Sequence, residues 1–105
     1  MSTKKLFQIL LPLYDNKGVL FPQDFYRHVS LELTERFGGL TAYSRSPATG
    51  FWKDSQDELN VDQIIVYEVI AEKMDKKYWK SLKEILKAQF KQEDIIIRVM
   101  ETDLV

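Results

Sequence analysis

Two stretches of this chain repeat apolar residues at helical spacing, and strand-like stretches flank each of them. Phe25, Val29, Leu33 and Phe37 recur every four residues and line one side of a helix. Trp79, Leu82, Leu86 and Phe90 do the same later, with Tyr78 and Ile85 beside them. Leu6 to Tyr14, Ile64 to Ile70 and Ile95 to Met100 are short, apolar and rich in strand-forming residues, and Thr41 to Ser46 alternates and can form a short strand. The order is β-α-β-β-α-β. Few folds accept it. It predicts an α+β domain of the ferredoxin-like kind, a four-stranded antiparallel sheet in order 4-1-3-2 with two helices on one face.

Local signals punctuate that order. Asp15-Asn16-Lys17-Gly18 reads as the turn after the first strand. Pro22 suits a first helical position, and Asp24 puts negative charge in the first turn. Gly38-Gly39 reads as the helix stop, and Asp75 as the cap of the second helix. Pro47 to Asn60 is polar, holds a proline and a glycine, and carries Phe51-Trp52. It reads as a long irregular loop, a frequent location of function.

With 105 residues, the chain is read as one domain over 1–105. Apolar residues at 45% and charged residues at 30% suit a packed globule rather than a disordered chain. A net charge of −1 gives no reason to expect nucleic acid or an anionic membrane as partner. The absence of cysteine removes disulfides, thiolate nucleophiles, Cys-ligated zinc and a lipidated cysteine. It suits a reducing compartment, and a cytoplasmic location is expected. Lys4-Lys5 before Leu6 to Leu13 resembles a signal peptide, but Gln8 and Pro12 interrupt the run and no small-residue cleavage site follows. No stretch approaches the roughly 20 apolar residues of a membrane span.

Strand alternation sorts the side chains. Phe7, Ile9, Leu11 and Leu13, with Ile65, Tyr67 and Val69 and with Ile95, Ile97 and Val99, should meet the helices. Leu6, Gln8 and Leu10, with Ile64, Val66, Glu68 and Ile70 and with Ile96, Arg98 and Met100, share the other face. A lone domain would leave that mostly apolar face in water. Large exposed apolar patches mark interaction sites, so a homodimer through this face is expected, as in dimeric α+β barrels. Gln8, Glu68 and Arg98 are its polar members. Glu68 and Arg98 should pair, because burying either charge alone is costly. That set is a structural ion pair or the polar floor of a ligand pocket. Tyr43, Arg45, Phe51 and Trp52 either pack the loop and rim an interface or line the mouth of a pocket. The candidate ligand-binding residues are therefore Gln8, Tyr43, Arg45, Trp52, Glu68 and Arg98.

Other chemistry is thin, and no catalytic residue is assigned. Asp24, His28 and Glu32 lie four apart on one helix side and read as a solvated face rather than a metal site. There is no G-x-S-x-G, and the four glycines form no phosphate-binding loop, so no cofactor is expected. Lys76, Lys80, Lys83, Lys87 and Lys91 form a basic stripe that reads as the exposed back of the second helix. An RNA-reading sheet needs aromatics on its open face, whereas Phe7 and Tyr67 point to the helices by parity. Nucleic acid is not an expected partner.

Phe37-Gly38-Gly39-Leu40-Thr41 after the first helix and Gly50-Phe51-Trp52 before the third strand, followed by a Lys-rich second helix, carry a resemblance. The chain resembles a family of small bacterial proteins classed as a domain of unknown function. It departs from that pattern between Tyr43 and Thr49, a longer stretch containing Pro47. The resemblance covers nearly the whole chain and implies the ferredoxin-like fold and no established activity. The leading expectation is a non-catalytic homodimer that binds a small ligand or a protein partner. The alternatives are a small-molecule enzyme of the dimeric α+β barrel kind, with Glu68 as base and Arg98 as anion clamp, and nucleic-acid binding through the lysine stripe.

Overall fold

The computed structural model describes residues 3–105. Strand β1 (Thr3–Pro12) leads into helix α1 (Gln23–Phe37), the β2–β3 hairpin (Thr41–Lys53 and Leu59–Ala71), helix α2 (Lys76–Gln89) and strand β4 (Ile97–Asp103). The strands form one antiparallel sheet in the order β2-β3-β1-β4. The α+β class and the antiparallel sheet with two helices are as expected from the sequence.

The core lies between the sheet and the helices. Phe7, Ile9 and Leu11 from β1 and Ile65, Tyr67 and Val69 from β3 are buried there, with Tyr26, Val29 and Leu33 of α1 and Trp79, Leu82 and Leu86 of α2. Phe90, just past α2, and Ile95, just before β4, close the ends. Trp79 stacks on Phe7 with ring centroids 4.0 Å apart and on Phe37 at 5.4 Å. The Tyr26 hydroxyl donates to the Pro12 carbonyl at 2.7 Å and ties the start of α1 to the end of β1. Burial pushes that phenol up to about 12, so it stays a donor at any physiological pH.

The caps follow the local chemistry. Asp75 accepts from the Tyr78 amide at 3.1 Å, as a helix N-cap should. Gly38 ends α1 at φ 80°, a left-handed conformation that suits glycine. Pro22 is the residue before the first helical turn rather than within it.

Three expectations need correction. The stretch Pro47 to Asn60 is not an irregular loop. Most of it extends β2 and β3 into a hairpin that runs past the end of β1, whose pairing with β3 stops at Pro12 and Ile64. Its turn is built by Asp54, whose carboxylate accepts from the Gln56 and Glu58 amides at 2.9 and 3.0 Å. Those bonds, with one from Asn60, hold Asp54 below the usual carboxylate range. Second, Val99 lies on the helix side of the sheet as its parity predicts but is 44% exposed, because the helices stop short of the β4 edge. Third, Lys91 lies beyond α2, so the basic stripe is shorter than its spacing implied.

Candidate functional site

The uncovered face of the sheet holds most of the predicted site residues, and the register explains how. Residues directly opposite in an antiparallel pair share a face. Thr41 faces Glu68, Glu68 faces Gln8, and Gln8 faces Arg98. One polar row therefore crosses the sheet from edge to edge. Tyr43, Val66 and Leu10 form the row on one side of it. Ile70, Leu6 and Met100 form the row on the other. A single polar line thus runs between apolar ones.

Within the row, Glu68 is the hub. Gln8 Nε2 donates to Glu68 Oε2 at 2.6 Å, and Tyr43 Oη donates to Glu68 Oε1 at 3.3 Å. Both carboxylate oxygens are used, and the side chains are only half-buried at Gln8 and Glu68. The negative charge of Glu68 raises the Tyr43 phenol above its ordinary value, since a second anion beside it is unfavourable. Tyr43 is thereby kept neutral as a donor. The sequence leaves Tyr43 between loop packing, an interface rim and a pocket mouth and does not assign its face; the register sets it opposite Val66, diagonal to Glu68, which its hydroxyl reaches.

The expected Glu68–Arg98 ion pair does not form within the chain. Gln8 stands between them, so their strands are two spacings apart, about 9.5 Å. Among the described residues Arg98 has no carboxylate within ion-pair distance and is exposed. Arg45 is not part of the network either. It sits in an excursion between Tyr43 and Ala48, where the register of β2 against β3 shifts, and it too is exposed.

Trp52 lies farther along the same face, on the hairpin arm. Its indole Nε1 donates to Asp62 Oδ2 at 2.6 Å. Asp62 was missed because the sequence was read as loop up to Asn60. Its parity with Ile64, Val66 and Glu68 is the signal that finds it. Gly50 opposes Asp62, and a Cβ there would stand 2.6 Å from Ile64 Cδ1. The glycine of Gly50-Phe51-Trp52 therefore makes room for Ile64 on the open face. Phe51, at 68% exposed, pairs with Val61 on the other side of the arm.

The remaining candidates are engaged elsewhere. Asp24 pairs with Arg27 at 2.8 Å and Glu32 accepts from the Tyr78 hydroxyl at 3.2 Å, so Asp24, His28 and Glu32 do not converge. In the lysine stripe, Lys83 pairs with Asp94 at 2.9 Å and Lys87 with Glu84 at 3.5 Å, which halves its usable charge. Among the described residues no helix is long and apolar enough to cross a membrane.

No family model matches the chain, and no curated protein matches it. Among solved structures it is similar to a phage SAM lyase in complex with S-methyl-5′-thioadenosine. The two are 15% identical, with a TM-score of 0.63 over 96% of this chain and 83% of that one. The likeness is one of fold.

Proposed function

We propose that the chain is a single ferredoxin-like domain that pairs with a second copy through its open sheet face and holds a small ligand against Gln8, Tyr43 and Glu68. The same reading groups it with the small bacterial proteins that share Phe37-Gly38-Gly39-Leu40-Thr41 and Gly50-Phe51-Trp52. The observation that carries it is the polar row between apolar rows. An apolar sheet face with exposed Ile70 and Met100 favours cover, and an exposed Arg98 with no carboxylate partner among the described residues favours cover that supplies an acid. Glu68 and Arg98 stand on opposite sides of Gln8. Two copies related by a two-fold axis near Gln8 bring each Arg98 over the partner subunit's Glu68. A two-fold interface is self-complementary in this way.

The test is a charge swap read by dimer dissociation. Arg98→Glu leaves two carboxylates facing each other and weakens the dimer by about 2 kcal/mol or more. Adding Glu68→Arg to it restores association. A double variant no better than the single one contradicts the cross-copy pair. Ligand binding is read separately, by thermal shift against a panel of small organic molecules. A dimer that binds none of them counts against the ligand half of the reading.

A second reading is an enzyme of the dimeric α+β barrel type. Its starting point is the fold shared with the phage SAM lyase. In it Glu68 is the base and Arg98 the anion clamp. Incubation with S-adenosylmethionine, followed by chromatography for S-methyl-5′-thioadenosine, tests it directly. Product that disappears in Glu68→Gln supports the enzyme. No product above the uncatalysed background rejects it for this substrate.

A further inference from the structure

On the other side of the sheet, α2 stops short of the β4 edge and leaves a cleft of about 310 Å³. The buried pair Phe7 and Trp79 forms its floor. Ile97 and the half-exposed Val99 form one wall, and Met74 closes one end. Lys76, Lys80 and Lys83 rim the wall made by α2. Their spacing of four and three residues sets them on one helix side. Lys83 is neutralised by Asp94. Lys76 and Lys80 have no carboxylate within ion-pair distance among the described residues, and none of the lining residues is acidic.

A cleft that is apolar below and cationic along one rim selects its occupant by two criteria. A neutral apolar molecule leaves the ammonium groups unused. A small inorganic anion leaves the Met74, Ile97 and Val99 surfaces wet. We infer that the cleft binds a small amphipathic monoanion, its apolar body on Met74, Ile97 and Val99 and its carboxylate or sulfonate between Lys76 and Lys80. The volume lies at the lower end of the range for small-molecule sites, so the apolar body is a short acyl chain or one or two fused rings. The site is separate from the polar row, because Val99 and Phe7 face the helix side and Gln8 and Arg98 the other.

Octanoate is a suitable probe, with octan-1-ol and inorganic phosphate as its two halves. All three are titrated into the isotope-labelled full chain by amide and methyl NMR. Octanoate is expected to shift Met74, Lys80, Ile97 and Val99 saturably. Octan-1-ol and phosphate are each expected to bind about tenfold more weakly or not at all. Lys76→Gln with Lys80→Gln, both at exposed positions, should weaken octanoate about three- to tenfold and leave octan-1-ol unchanged. Three results overturn the inference. One is shifts confined to Leu6, Ile70 and Met100 on the opposite face. Another is equal binding of phosphate and octanoate. The third is octanoate binding indifferent to the two lysine substitutions while the variant's melting curve matches the parent's.

Discussion

Leu10 and Leu11 are neighbours in β1, yet they lie in different environments. Leu11 is fully buried under the helices, and Leu10 is half-buried on a face with no helix over it. The two faces are similarly apolar in sequence. What separates them is cover. Phe7, Ile9 and Leu11 are stabilised within the chain, whereas Leu6, Leu10, Ile70 and Met100 keep part of their surface available for association. The comparison teaches that alternation identifies the two faces but not which of them a chain covers by itself. The row of Thr41, Glu68, Gln8 and Arg98 then distinguishes the open face, because Arg98 has no carboxylate partner among the described residues.

The largest expected contrast between the faces is in stability. Leu11→Ala removes buried methyl groups from a site with no solvent exposure and should cost about 2 to 5 kcal/mol in urea unfolding. Leu10→Ala, measured in Arg98→Glu at a concentration where that variant is dissociated, should cost well under half of that. Equal costs would mean that the open face is packed within the chain. The next contrast is in association. Leu10→Glu buries a charge in a covered interface and should raise the dimer dissociation constant about 30-fold or more in sedimentation, with the monomer still folded. An unchanged constant would move the interface elsewhere.

A smaller effect concerns Glu68. Its charge raises the Tyr43 phenol, so Glu68→Gln should return that phenol toward its ordinary value of 10.0. Ultraviolet titration reads this directly, and no change would mean that the Tyr43–Glu68 contact is not populated. The smallest effect is at the hairpin tip. Asp54 is held below its usual range when folded, so its contribution is present above the unfolded value near 3.8 and is lost as pH falls through the folded value. The protection of the Gln56 and Glu58 amides, taken relative to their intrinsic exchange rates, should fall in acid before that of the core amides does. Asp54→Asn should remove part of that difference.

The covered face was legible because its signal is redundant. Two helical stripes, two helix caps and the odd positions of β1 and β3 all point to the same core. The arm was not legible, because each of its features reads locally as loop. Pro47 is tolerated since it falls in the register shift of an edge strand. Gly50 is there for Ile64, a neighbour across the hairpin that local sequence does not reveal. Asp54, a turn residue, caps a hairpin rather than opening a loop. The Glu68–Arg98 pair was misread for another reason. Parity put both on one face correctly, but contact also needs adjacent strands, and β1 intervenes. Val99 shows the same limit at the other edge, where parity assigned a face but not the reach of the helices over it.

The central claim is that a second copy covers the open sheet face. Light scattering across a dilution series measures it most directly. The account predicts a mass twice that of the 12.4 kDa chain, holding into the low micromolar range and falling to one chain in Arg98→Glu. A parent protein that stays at the mass of one chain at every concentration would contradict it.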